Sequence, residues 1–132
     1  MDKTNEIISA TSLLYSVANA DNIIEENEVK SIKEIIIDFF RIKENYDIDY
    51  ILNISKEKYL NAIDIFQFSK ELNKQWTYQD KIDFICCTFE VAFSDGSLHY
   101  LEESAIKNIA IILNVNFQDL IKSKIEMKKY LS

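Results

Sequence analysis

One pattern is written twice in this chain, 74 residues apart: Val17-Ala18-Asn19-Ala20-Asp21-Asn22-Ile23-Ile24-Glu25-Glu26-Asn27-Glu28 and Val91-Ala92-Phe93-Ser94-Asp95-Gly96-Ser97-Leu98-His99-Tyr100-Leu101-Glu102. Both copies place an Asp after an apolar segment, an aliphatic residue three positions later and a Glu seven positions later. A second apolar segment with helical spacing follows each. The unit reads as a helix, a tight acidic turn and a helix, so the duplication predicts two related halves. The chain has no Pro and a single Gly, Gly96, which lies inside the second copy. Without the usual punctuation of hairpins, helices are the default element.

The reading is therefore all-α: about seven helices, arranged as two pseudo-symmetric halves in one bundle-like domain. At 132 residues a single domain over 1–132 is expected, with internal repeats at about 5–54 and 78–130. Eight Phe and seven Tyr supply apolar surface that a disordered chain lacks. Periodicity predicts a first helix over Asn5 to Ala20, with Ile8, Thr11, Tyr15 and Ala18 on one stripe and Ile7, Leu14 and Val17 beside it. A second is predicted over Glu26 to Ile42, a short third over Asp47 to Leu52, and a fourth capped by Ser55 and running through Tyr59, Ile63, Phe66 and Leu72. Lys70 to Trp76 reads as the linker between halves. Thr77-Tyr78-Gln79-Asp80 resembles a capping box and opens a fifth helix with Ile82, Ile85, Phe89 and Ala92 inward. A sixth spans Tyr100 to Leu113, ended by Asn114 or Asn116, and a seventh spans Phe117 to Tyr130.

A net charge of -7 argues against nucleic acid, whose phosphates need clustered Lys and Arg. Lys122, Lys124, Lys128 and Lys129 instead complement the negative end of the last helix. No run approaches the roughly 20 apolar residues of a membrane span. The polar start, Met1-Asp2-Lys3-Thr4-Asn5-Glu6, is unlike a secretory signal, and a cytoplasmic location is expected. Adjacent Cys86 and Cys87 cannot form an ordinary disulfide with each other and read as reduced core or near-core residues.

Two readings of the acidic turns stand side by side. In the structural one, Glu25 and His99 are N-caps, and Glu28 and Glu102 fall at N3, the acid position of a capping box. Asp21 and Asp95 then accept backbone N–H groups within the turn, and Gly96 or its equivalent Asn22 takes the left-handed conformation. In the other, Asp21, Glu28, Asp95 and Glu102, supported by Glu25 and Glu103, converge on a divalent metal ion. One Asp and one Glu per turn are few for a hard cation that takes six or more oxygens, so both turns would have to contribute. The spacing is not that of a calcium-binding EF-hand. His99 is the only His and lacks the partners of a zinc site. No nucleophile elbow, phosphate-cradling Gly loop or second His supports catalysis. Trp76, Tyr78, Phe66 and Phe68 are candidates to line a groove for a partner helix, although aromatics at helical spacing commonly belong to the core.

At the two motif copies the chain resembles the tellurite-resistance TerB family, whose domain also occurs in the N-terminal region of a membrane-anchored J-domain co-chaperone. The matching residues are Ala18, Asp21, Asn22, Ile24 and Glu28, and again Ala92, Asp95, Gly96, Leu98 and Glu102. The resemblance implies an all-helical, pseudo-symmetric domain without established catalysis, found in bacterial chemical and metal stress systems and sometimes associated with membrane partners. It also implies that the family's acidic positions, suspected of metal binding, map onto Asp21, Glu28, Asp95 and Glu102. Glu25 and His99 depart from the Ser, Thr or Asp cap expected there. The expectation is a non-enzymatic interaction module that docks a protein partner through its acidic turns or a groove between the halves. The alternative is a divalent-metal sensor or buffer.

Overall fold

In the computed structural model, which describes residues 3–43, 46–94 and 96–131, the chain forms seven α-helices and one 3-10 turn, with no strand among those residues. The helices are α1 (Thr4–Ala18), α2 (Glu26–Phe39), α3 (Ile48–Leu60), α4 (Ser69–Gln75), α5 (Tyr78–Phe93), α6 (Tyr100–Ile112) and α7 (Phe117–Leu131), with the 3-10 turn at Ile65–Phe68 before α4.

Burial of α1 goes well beyond a stripe. Every residue from Ala10 to Ala18 is buried, Ser12, Leu13 and Ser16 included. A helix can be sheathed on all sides only if its polar side chains are satisfied internally. Thr11 and Ser12 meet that condition by donating to the carbonyls of Ile7 and Ile8, each at 2.7 Å.

The packing follows the duplication. α1 lies against α2 and α3, and α5 likewise lies against α6 and α7. α1 and α5 touch each other, and each also meets the second helix of the other half, α1 on α6 and α5 on α2. The 3-10 turn and α4, which have no counterpart, rest on α1. The second helix of each half ends in the same way. Ile42 N–H reaches Ile37 O at 2.9 Å with Arg41 at φ 51°, and Val115 N–H reaches Ala110 O at 2.8 Å with Asn114 at φ 61°. Both are Schellman ends with a left-handed residue at C′. Asp47 Oδ1 then accepts from Tyr50 N–H to start α3, and Asn116 Oδ1 accepts from Asp119 N–H to start α7.

Three expectations are corrected between the halves. Ser55 is not an N-cap: it is buried in the middle of α3, where its carbonyl accepts a bond from Ser12 Oγ at 3.2 Å. Two small residues let α1 and α3 approach closely, and the helix runs through to Leu60. The predicted fourth helix instead breaks at the Asn61–Asp64 turn, where Asp64 Oδ1 accepts from Phe66 N–H at 2.8 Å and restarts the chain as the 3-10 turn. Lys70 to Trp76 is no linker. It is largely α4, and Leu72 and Trp76 enter the core. Trp76 stacks among Phe39, Phe40 and Phe84 at centroid distances of 5.2, 6.3 and 5.0 Å and donates its Nε1–H to Glu6 at 2.9 Å.

Trp76 and Ile63 are thus apolar residues of opposite fate, since Ile63 is 100 % exposed. Trp76→Ala is expected to cost about 3–5 kcal/mol, whereas Ile63→Ala stays within about 0.5 kcal/mol of the parent. Urea denaturation midpoints at constant m-value check both.

Candidate functional site

The two acidic turns are built by the same hydrogen bonds. Ala20 N–H donates to Val17 O, and Ser94 N–H to Val91 O, both at 3.2 Å. Asn22 N–H donates to Asn19 O, and Gly96 N–H to Phe93 O, both at 2.9 Å. Asn22 at φ 65° and Gly96 at φ 102° carry the chain through the left-handed region. Glu25 and His99 then adopt nearly identical extended backbones, φ -77°, ψ 149° and φ -78°, ψ 143°. Each accepts the role of N-cap, and the N3 glutamate reaches back to it. Glu25 N–H donates to Glu28 Oε1 at 2.9 Å, and His99 N–H to Glu102 Oε1 at 3.1 Å.

Glu28 and Glu102 are both only 2 % exposed. A carboxylate can be held at that depth because it sits on the positive end of its helix and accepts a charge-assisted bond there. Asp21 Oδ1 accepts from Ile23 N–H at 3.1 Å, bracing the first turn from within. His99 Nδ1 accepts from Leu101 N–H at 3.2 Å, and its ring stacks on Tyr100. Glu103 turns away from the turn to pair with Lys124 of α7, while Glu25 is exposed. Asp95 lies outside the described residues. Among the described residues no three or more His, Cys, Asp or Glu side chains gather so as to hold a metal ion. Glu28 and Glu102 each commit one oxygen to their own helix, so these residues do not by themselves supply the oxygen shell of a hard cation.

The four aromatics considered for a groove go to separate places. Trp76 and Phe68 are core residues, and Phe66 is exposed. The Tyr78 hydroxyl donates to Asp119 Oδ2 at 2.6 Å and accepts from Asn116 N–H at 3.1 Å, tying the start of α5 to the start of α7.

A groove between the halves does exist, on α2 and α5. It has a volume of about 550 Å³, with Ile35 and Phe93 among its apolar lining and the carboxylates of Glu34, Asp38 and Glu90 around it; Lys30 and Leu131 also border it. Burial, followed by the charges of Asp38 and Glu34, pushes the Glu90 carboxyl above the ordinary carboxylate range. Burial first, and then Glu90 and Cys86, pushes the Cys87 thiol up to about 12. Cys86, hydrogen-bonded to Ser123, is also raised, again mainly by burial. Both cysteines are free, and raised thiols of this kind are poor nucleophiles. Glu34 and Asp38 are exposed on α2, and Glu90 is half-buried on α5. Helical spacing pairs Glu34 with Asp38 four residues on; only the packing of α2 on α5 brings Glu90 to them.

Gly96→Ala meets no heavy atom within 4 Å of the new Cβ, so its cost is the backbone's alone. A loss of about 1–2 kcal/mol is expected. Glu102→Ala, which removes the buried carboxylate that accepts from the His99 N–H, should cost about 1–3 kcal/mol, with most of it restored in Glu102→Gln. Thermal and urea unfolding of the three variants decide this.

A family model described as tellurite resistance protein TerB matches residues 8–125. No curated protein and no solved structure matches the chain.

Proposed function

Since the chain belongs to the tellurite-resistance TerB family, we propose that it is a non-enzymatic interaction module of a bacterial stress response that docks a basic segment of a protein partner. The observation that carries this reading is the groove between α2 and α5, where three carboxylates stand with Ile35 and Phe93 among the polar side chains of Asn27, Ser31 and Ser94. An amphipathic peptide would lay aliphatic side chains on Ile35 and Phe93 while Lys or Arg reached Glu34, Asp38 and Glu90. Burial holds the Glu90 carboxyl high first, and such a cation would offset the like-charge repulsion from Asp38 and Glu34 that adds to it. The acidic turns, in this reading, position the helices that form the groove instead of serving as the contact. The family's placement in chemical and metal stress systems sets the biological context.

A second reading, a divalent-metal sensor or buffer on Asp21, Glu28, Asp95 and Glu102, draws on one observation: Glu28 and Glu102 are buried at equivalent positions of the two halves. Calorimetric titration separates the two readings. Titrating a Lys- and Leu-rich amphipathic peptide into the protein is expected to give salt-sensitive binding that weakens at least about tenfold in the Glu34→Gln, Asp38→Asn, Glu90→Gln variant. Unchanged affinity in that variant, or no heat at all, overturns the docking proposal. Titrating Ca²⁺, Mg²⁺, Mn²⁺ and Zn²⁺ into chelator-treated protein, with Asp21→Asn, Asp95→Asn as control, tests the metal reading: binding lost in the control, with metal raising the melting temperature of the parent alone, would put it first.

Glu90 also gives a pH signature. A carboxyl raised in the folded state binds its proton more tightly there than in the unfolded chain, so its contribution to stability falls as pH rises through the window above the ordinary value of 4.5. Glu90→Gln is therefore expected to raise the melting temperature at pH 7. The advantage should disappear below the ordinary carboxylate range, where parent and variant are both neutral at this position. A melting series from pH 3 to 8 checks it; a variant less stable than the parent at pH 7 contradicts it.

A further inference from the structure

The last turn of α7 ends on the groove that α2 and α5 share. Leu120, Ser123 and Met127 recur at helical spacing on the face of α7 that packs against the core, and Leu131, four residues on, continues that stripe. By then the helix has run past its support. Leu120 and Ser123 are 5 and 2 % exposed, Met127 is partly buried, and Leu131 is 39 % exposed. What Leu131 meets instead is the groove, where it forms part of the wall with Ile35 and Phe93. Lys128 stands one turn back on the same side of the helix. Apart from Lys30, the charged groups of the groove are carboxylates, those of Glu34, Asp38 and Glu90. The end of α7 thus brings toward the groove an aliphatic side chain and a cation, the two chemistries that a docking basic segment would bring.

We propose that the last turn of α7 is a strap on this groove, a built-in competitor that the basic segment of a partner must lift in order to dock. The inference rests on the docking reading above and adds its regulation. The strap is lightly held by construction. None of the four residues from Lys128 to Leu131 is buried, and a helix end without buried anchors opens at little cost. Lifting it withdraws one partly exposed leucine from the groove and leaves Leu120 and Ser123 in place, where α7 packs on α5. A groove that is covered in most molecules binds with an affinity reduced by the uncovered fraction, so the hold of the strap sets the threshold for docking.

Calorimetric titration of the Lys- and Leu-rich amphipathic peptide into the full chain and its variants tests this. Leu131→Ser, on a turn with no buried residue, is expected to keep the far-UV circular dichroism of the parent and to bind the peptide about three- to tenfold more tightly. That gain corresponds to a strap seated in about two thirds to nine tenths of the molecules. Lys128→Gln should strengthen binding more than Lys122→Gln, which makes the same charge change at an exposed position nearer the start of α7. In the complex with the parent, the Leu131 methyl resonances should move to random-coil positions. Equal or weaker affinity in Leu131→Ser overturns the strap and leaves the docking reading standing, as does a nuclear Overhauser contact between the peptide and the Leu131 methyls. Binding by neither the parent nor Leu131→Ser overturns both.

Discussion

α1 is the element on which the rest depends. It is buried along its whole second half and touches α2, α3, α4, α5, α6 and the 3-10 turn. A helix so enclosed loses every chance of hydrogen-bonding water, so each polar side chain on it must find an acceptor within the protein. Thr11 and Ser12 satisfy this with their own helix, and Ser12 shares its hydroxyl with α3 as well. Small back-bonded residues also let neighbouring helices come close. The same position in the second half is Cys86, which meets Ser123 of α7, so a small polar contact between first and third helix recurs with different chemistry.

The duplicated halves share a backbone plan more closely than a side-chain plan. Both turns use the same backbone bonds, the same left-handed step and the same glutamate reaching back to its N-cap. The cap itself differs, Glu25 in one half and an imidazole in the other, because at that position the extended backbone and the N3 carboxylate are what the geometry requires. The connector is where the symmetry fails. Only the first half is followed by α4 and Trp76, and Trp76 fills the space among Phe39, Phe40 and Phe84.

Much of this was legible in the sequence, and for local reasons. The turns, the Thr77 and Asp80 capping box and the stop at Asn114 are set by residues within a few positions of one another, and Thr77 and Asp80 do exchange bonds at 2.9 and 3.1 Å. What was illegible depends on partners far along the chain. Ser55 looks like a cap until Ser12 is laid against it, and Ile63 continues an apolar period that the Asp64 turn interrupts. Arg41 is no glycine or asparagine, yet the Schellman end of α2 places it in the left-handed region. The groove is the extreme case, since Glu34 and Asp38 lie on one helix and Glu90 on another more than fifty residues away.

The placement of α1 has a consequence for how the protein is made. α1 leaves the ribosome well before two of the surfaces that cover it, α5 and α6, which belong to the second repeat. Until then a helix with apolar residues on all its faces has only α2, α3, the 3-10 turn and α4 for shelter. The nascent first half is thus an aggregation-exposed intermediate by construction, and completion of the second half is the step that closes it.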